Sequence, residues 1–280
     1  MDINLLGSLA VCESGTSITP TAPKPRQLLA VLALHADQTV PVQLLVEELW
    51  GDHPPRTARN TLQSYVLQLR TLIERALERG PDGGPGGEDG RPSAKDVLAT
   101  LPGGYRLDTR GGVVDIREFE ERVGCGYAAM ARENYPDASR RLRDALGLWR
   151  GDVFADVRTG PVLEMEIRRL EETRLCALDQ RVEADFRLGR HRELVGELTV
   201  LASRYRMHES LHRQLMLALH HSGRRGEALA VYQRLRATLV RELGLEPSPR
   251  VRRIQQSILA ARAPEPVTAL LGVEELTRAG

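Results

Sequence analysis

The chain has 280 residues, 41% of them hydrophobic, and a formal net charge of +1. That composition excludes a disordered chain, and the length suits two domains that each bury a core. No apolar run approaches the roughly 20 residues of a membrane helix, and the start, "MDINLLGSLAV", lacks the basic region of a secretory signal.

Residues 3–11, "INLLGSLAV", alternate with period two, which predicts one half-buried strand with Ile3, Leu5, Leu9 and Val11 on one face. A short strand around "TSITP" follows a turn at Glu13–Gly15. Three helical patterns come next. "KPRQLLAVLALHA" has Pro25 near its start and Leu28, Val31, Leu32 and His35 on one stripe. "VQLLVEELWG" stops at Gly51. The third and longest runs from Thr57 to about Leu77. Residues 80–95, "GPDGGPGGEDGRPSAK", read as a flexible loop. "DVLATLPGGYRLDT" is a hairpin around Pro102-Gly103-Gly104.

After Gly111-Gly112, "DIREFEERV" opens a helix with Asp115 and Glu118 placed as a capping box. The domain boundary therefore falls near 111–114. Beyond it the chain is helical and repeats: Gly189 and Gly223 lie 34 residues apart, and Glu193, Leu194, Leu198 and Leu201 map at that offset to Glu227, Ala228, Tyr232 and Leu235. A helix–turn–helix period of 34 is the tetratricopeptide signature, whose stacked units leave a concave surface for partners. Residues 136–149 carry the second-helix pattern out of register, so an insertion at about 150–165 is expected. The organisation expected is a domain at 1–112, a helical repeat domain at 113–262 and a flexible tail at 263–280.

Three cysteines, Cys12, Cys125 and Cys176, are odd in number and far apart. They suit buried thiols in a reducing cytoplasm and no cysteine-based zinc site. The basic residues are 37 arginines and two lysines, which reads as a GC-rich coding bias.

His208, Glu209 and His212 have the HExxH spacing that on a helix can bind zinc with a glutamate as general base. The position six residues past His212, where a third ligand would stand, is Ala218. The motif lies at the start of a repeat helix whose packing stripe is Leu211, Leu215 and Leu219, so the histidines read as partly exposed polar residues beside it. No metal and no cofactor are expected. Neither lysine follows a glycine as a P-loop requires, and no G-x-S-x-G occurs.

The helix around "RTARNTLQSYVLQLRTLIERAL" (56–77) is more informative. Ala58, Leu62, Tyr65, Val66, Leu69, Leu72, Ile73 and Ala76 trace one apolar stripe. The opposite face carries Asn60, Gln63, Ser64, Leu67, Arg70 and Thr71. Amides can bond adenine bidentately, arginine can bond guanine, and an apolar side chain can touch the thymine methyl. Arg56, Thr57 and Arg59 at the helix start can hold phosphates. Charge favours this only locally. Residues 54–79 hold five Lys/Arg against two Asp/Glu, whereas residues 1–110 hold 11 against 13.

Strands, three helices and a hairpin ending "GGYRL" follow the order of a winged helix-turn-helix. Through "KPRQLLAVLAL", "VEELWG", "PPRTARNTLQSYVLQLR" and "LPGGYRL", residues 1–110 resemble the OmpR-type winged helix. "LHRQLMLALHHSGRRGEALAVYQRLRATLVRELGLEPSP" resembles the bacterial transcriptional activation domain. The whole chain is thus similar to the Streptomyces antibiotic regulatory proteins (SARP). The fold this resemblance implies is mainly α, a winged helix-turn-helix followed by an all-α tetratricopeptide-like domain. The function it implies is a cytoplasmic, non-enzymatic activator of a secondary-metabolite gene cluster. Such a protein would bind direct repeats in double-stranded promoter DNA as a head-to-tail pair and recruit RNA polymerase holoenzyme through its sigma factor. The turn Asp52, His53, Pro54 and Pro55 would touch polymerase, and Thr100, Tyr105 and Arg106 of the wing would contact phosphate. Two positions depart from the pattern: Pro102 stands where such wings often place arginine at the tip, and Leu67 replaces a more usual polar residue. No receiver domain precedes the DNA-binding unit, so control by phosphorylation of one is not expected. The alternatives are a helical-repeat scaffold that reads no DNA and a zinc hydrolase built on His208, Glu209 and His212.

Overall fold

The computed structural model describes residues 1–79 and 92–260. Most of the expected 80–95 loop and the whole expected 263–280 tail lie outside these residues. The first element departs from expectation. β1 (Asp2–Asn4) and β2 (Ala10–Glu13) are separate strands paired antiparallel, Ile3 opposite Val11, with β3 (Thr16–Ser17) completing the sheet. The single strand foreseen over 3–11 is broken because Leu5 and Leu6 are both fully buried, which violates alternation. Their N–H groups go elsewhere, to the carboxylate of Asp115 at 2.9–3.0 Å.

α1 (Pro23–Leu34) is buried on all sides from Leu28 to Ala33, so it is a central helix and not an amphipathic one with a single stripe. β4 (Val40–Pro41) leads into α2 (Val42–Trp50), which ends at Gly51 with a left-handed φ of 61°. α3 (Ala58–Arg79) buries Ala58, Leu62, Val66, Leu69, Ile73 and Ala76 at 3.6-residue spacing. Full burial of each larger apolar side chain contributes about 1.5–3 kcal/mol before entropy. Trp50 at the end of α2 stacks on Tyr65 of α3, ring centroids 6.5 Å apart. After a one-turn helix, α4 (Ala94–Val97), capped by Ser93 and Asp96 where the loop was expected to continue, the hairpin forms. β5 (Leu98–Leu101) and β6 (Gly104–Leu107) join β4 in the order β4-β6-β5. A Cβ on Gly104 would lie 2.3 Å from the Val40 carbonyl oxygen, so only glycine lets β4 approach β6 here.

The remaining described elements are helices: α5 (Asp115–Ala131), α6 (Tyr135–Leu146), α7 (Pro161–Arg187), α8 (His191–Arg204), α9 (Glu209–His221), α10 (Arg225–Leu243) and α11 (Pro249–Leu259). α8 and α10 start 34 residues apart, after Gly189 and Gly223, which both have positive φ. Leu194, Leu198, Ala228, Tyr232 and Leu235 are all buried, as the repeat requires. Cys125 and Cys176 are exposed, against the expectation of buried thiols; both fall on outward positions of their helices.

Packing divides the chain into two compact units: residues 1–124 with 144–175, and residues 125–143 with the chain from 176 onward. In the first unit the segment foreseen as an insertion clasps the N-terminal domain. Arg150, Phe154 and Ala155 donate backbone hydrogen bonds to the carbonyls of Leu6, Leu5 and Gly7. The Leu9 N–H donates to Asp156 at 2.8 Å, and Asp156 also pairs with Arg26. Asp115 is spent on this clasp, accepting from Leu5, Leu6 and Arg150, while Glu118 pairs with Arg122; the expected reciprocal capping box is replaced by these partners. In the second unit α8, α9 and α10 pack in succession. Asp185, 1% exposed, is charge-balanced by Arg143, Arg181 and Arg190 and accepts from Ser139 at 2.7 Å.

Candidate nucleic-acid interface

α3 presents the face predicted for it. Arg56, Thr57, Arg59, Asn60, Gln63, Ser64, Leu67 and Thr71 are exposed, Leu67 at 66%. A single exposed apolar side chain is ordinary on a protein surface; what marks Leu67 is its place among the amide and hydroxyl groups of this face. Ser64 and Thr71 turn their hydroxyls back to the carbonyls of Asn60 and Leu67, leaving oxygen lone pairs outward. Arg70 is different. It is half-buried and its guanidinium donates to the Leu98 carbonyl (3.0 and 2.7 Å) and to the Thr100 hydroxyl (2.8 Å). The side chain expected to read a base thus fastens α3 to β5, and Thr100 is its partner.

The wing residues also sort by burial. Thr100 is exposed, Arg106 is half-buried with its Nε enclosed and without a partner, and Tyr105 is only 6% exposed. Tyr105 nevertheless lines a cleft of about 470 Å3 between the start of α2, the first turns of α3 and the hairpin turn at Gly103, together with Gln43, Arg59 and Gln63. Sequence reading missed Gln43. It stands exposed one residue into α2, and its only signal was a polar side chain at the start of the helix that precedes α3.

The turn Asp52, His53, Pro54 and Pro55 is exposed throughout. Its two ends are fixed, by the Gly51 stop and by the Ala58 N–H donating to the Pro55 carbonyl at 2.9 Å. Behind the interface, Glu48 of α2 is 2% exposed and accepts five hydrogen bonds or shares in them. Gln27 donates to it at 2.9 Å, Gly160 at 2.6 Å, Val162 at 2.9 Å and Leu163 at 3.1 Å, and its own carbonyl takes Gln27 at 2.8 Å. A carboxylate from α2 therefore caps the N-terminus of α7. A Cβ on Gly160 would lie 2.2 Å from the Glu48 carbonyl oxygen, so glycine is required at that approach.

The three HExxH residues each have partners within the repeat unit. His208 is the N-cap of α9 and accepts the Leu211 N–H at Nδ1, while Glu209 accepts the Ser248 N–H at 2.7 Å. His212 is 7% exposed, more buried than the partly exposed position expected, because it turns towards the repeat interior with Nδ1 3.1 Å from the His208 carbonyl. Burial pushes its pKa down. No group of three or more metal-binding side chains occurs among the described residues.

A three-helix body whose third helix is exposed beside a hairpin, followed by stacked helical repeats, defines a winged helix-turn-helix regulator of OmpR type. Comparison with known proteins agrees. Residues 114–259 match the bacterial transcriptional activator domain, and residues 16–82 match the C-terminal domain of transcriptional regulatory proteins. The regulatory protein DnrI of Streptomyces peucetius is 48% identical over 261 residues, 93% of each chain. The transcriptional regulatory protein EmbR of Mycobacterium tuberculosis is 34% identical over 92% of this chain and 63% of its own. The regulatory protein AfsR of Streptomyces coelicolor is 35% identical over 92% of this chain and 24% of its own. A solved structure of Mycobacterium tuberculosis EmbR in complex with a low-affinity phosphopeptide superposes with a TM-score of 0.81 at 31% identity, covering 96% of this chain and 67% of that one. The chain belongs to the SARP family of transcriptional regulators. Its matched families and relatives are named as transcriptional regulators and not as enzymes. No described helix is long and apolar enough to cross a membrane.

Proposed function

We propose that this regulator activates a secondary-metabolite biosynthetic gene cluster from the cytoplasm by binding direct repeats in double-stranded promoter DNA as a head-to-tail pair. The observation that carries the reading is the exposed amide-rich face of α3, with Leu67 standing 66% exposed in its middle. In this reading Asn60 and Gln63 bond base edges, Leu67 meets a thymine methyl, and Ser64 and Thr71 contribute hydroxyl contacts. Arg56, Thr57 and Arg59 hold phosphates at the helix start, and Thr100, Tyr105 and Arg106 border the duplex from the wing. Arg70 acts through the wing it fastens. The Asp52–Pro55 turn offers a stiff exposed surface to RNA polymerase holoenzyme at its sigma factor.

A gel shift on promoter fragments of secondary-metabolite clusters tests this. The expected result is a sequence-dependent shift of fragments carrying the repeat, with stepwise occupancy of two half-sites. Asn60→Ala and Gln63→Ala should each weaken the specific complex by about 1–3 kcal/mol, roughly tenfold to a hundredfold, while binding to random duplex stays the same. Equal affinity of wild type for repeat and random DNA would support the scaffold reading instead.

A further inference from the structure

The second compact unit contains a cleft of about 400 Å3 bounded by α8, α9 and α10. Thr199, Ser203 and Arg206 form one wall, His212 the floor, and Arg234 and Arg241 the other wall. The spacing explains why they meet. Positions 199, 203 and 206 share one face of α8 and its exit, and 234, 238 and 241 share one face of α10. Three guanidinium groups thus border one concavity, and no residue lining it is acidic. Among the described residues no carboxylate pairs with Arg206 or Arg234, whereas Arg236, on another face of α10, is paired with Glu246 at 2.6 Å. Arg241 has only its chain neighbour Glu242, at 2.9 Å. His212 lines the cleft with its Nδ1 held 3.1 Å from the His208 carbonyl. The hydroxyls of Thr199, Ser203 and Thr238 donate to carbonyls of their own helices, so the donors left free in the cleft are the guanidinium groups of Arg206 and Arg234, while Arg241 shares its own with Glu242.

We infer that this cleft binds a small ligand bearing two or more anionic oxygen groups, phosphate or carboxylate, through Arg206, Arg234 and Arg241 with His212 beneath. Guanidinium forks match both kinds of group bidentately, and such charge-assisted bonds are the strong ones. The volume is that of a small-molecule site, and three helices wall it. The apolar lining from Ala202, Leu215, Val231 and Ala237 lowers the local dielectric and strengthens the attraction. The site is separate from α3 and does not depend on the promoter-binding proposal.

Isothermal titration of the full chain with inorganic pyrophosphate, and in a parallel arm with citrate, tests it. One of the two should saturate at one site per chain, and which one does identifies the ligand's anionic group. Arg206→Ala and Arg234→Ala should each weaken binding by about tenfold or more, and Arg236→Ala should leave it unchanged. All three side chains are exposed, so circular dichroism should show an intact fold. The saturating anion should also raise the His212 titration midpoint read by proton NMR, because a bound anion opposes the burial that lowers it. Failure of both anions to bind, or equal loss in all three variants, overturns the inference.

Discussion

The guanidinium of Arg70 makes three hydrogen bonds to the wing, two to Leu98 and one to Thr100. A lysine at that position keeps the charge but loses the fork. Arg70→Lys should therefore cost about 1 kcal/mol in urea unfolding. It should also weaken DNA binding evenly across sequences, as loosening of the wing would and loss of a guanine contact would not. A second residue-scale expectation concerns histidines. His191 and His221 stack with centroids 4.5 Å apart, His220 adjoins them, and each has a buried ring nitrogen without a partner. Burial first, then His191 and His220, pushes His221 down to about 4, and burial lowers His191 and His220 as well. The unfolded chain takes these protons near the ordinary value of about 6.5. Stability from the cluster is thus complete above about 6.5 and declines as pH falls towards 4. Urea midpoints measured across that range should drop, and His221→Gln should flatten the drop. The exposure of Asn60, Gln63 and Leu67 was legible in sequence because one helix's period decides it. The duty of Arg70 was not, since its partners lie 28 and 30 residues away on the hairpin.

At the scale of elements, the Glu48 carboxylate joins α2 to the start of α7 across more than 110 residues. Glu48→Ala would take the side-chain acceptor from the buried N–H of Leu163 and the part-buried N–H groups of Gly160 and Val162, and should destabilise the fold by about 3 kcal/mol. Glu48→Gln keeps an acceptor and should lose less. Gly160→Ala should also destabilise, because the new methyl meets backbone and not a yielding side chain. Chemical denaturation of the three variants checks the order. Such a link escapes a sequence pattern: Glu48 reads as one more acidic residue on an amphipathic helix, and the insertion at 150–165 reads as a spacer. The N-terminal strand was misread for a related reason. Period two persisted through Ile3, Leu9 and Val11 because both arms of the hairpin show their apolar side to one core. The three helices, the hairpin and the 34-residue repeat were legible because local spacing and glycine stops suffice to define them.

The molecule as a whole carries almost no net charge, and residues 1–110 hold slightly more acid than base. Attraction to arbitrary duplex should be correspondingly weak, with affinity resting on few phosphate contacts. Replacing Arg56 or Arg59 with alanine should lower the slope of log affinity against log salt by about one unit each, a change readable by fluorescence anisotropy at several chloride concentrations. The clasp made by residues 150–163 has a practical corollary for anyone building hybrid regulators. A splice at the apparent seam near 112 would hand Leu5, Leu9 and Glu48 to foreign neighbours, and the hybrid would inherit α3 on an unsteady mount. Transplanting only the outward side chains of α3 leaves every one of those attachments in place, and on the proposed reading is the gentler way to exchange promoter preference between relatives.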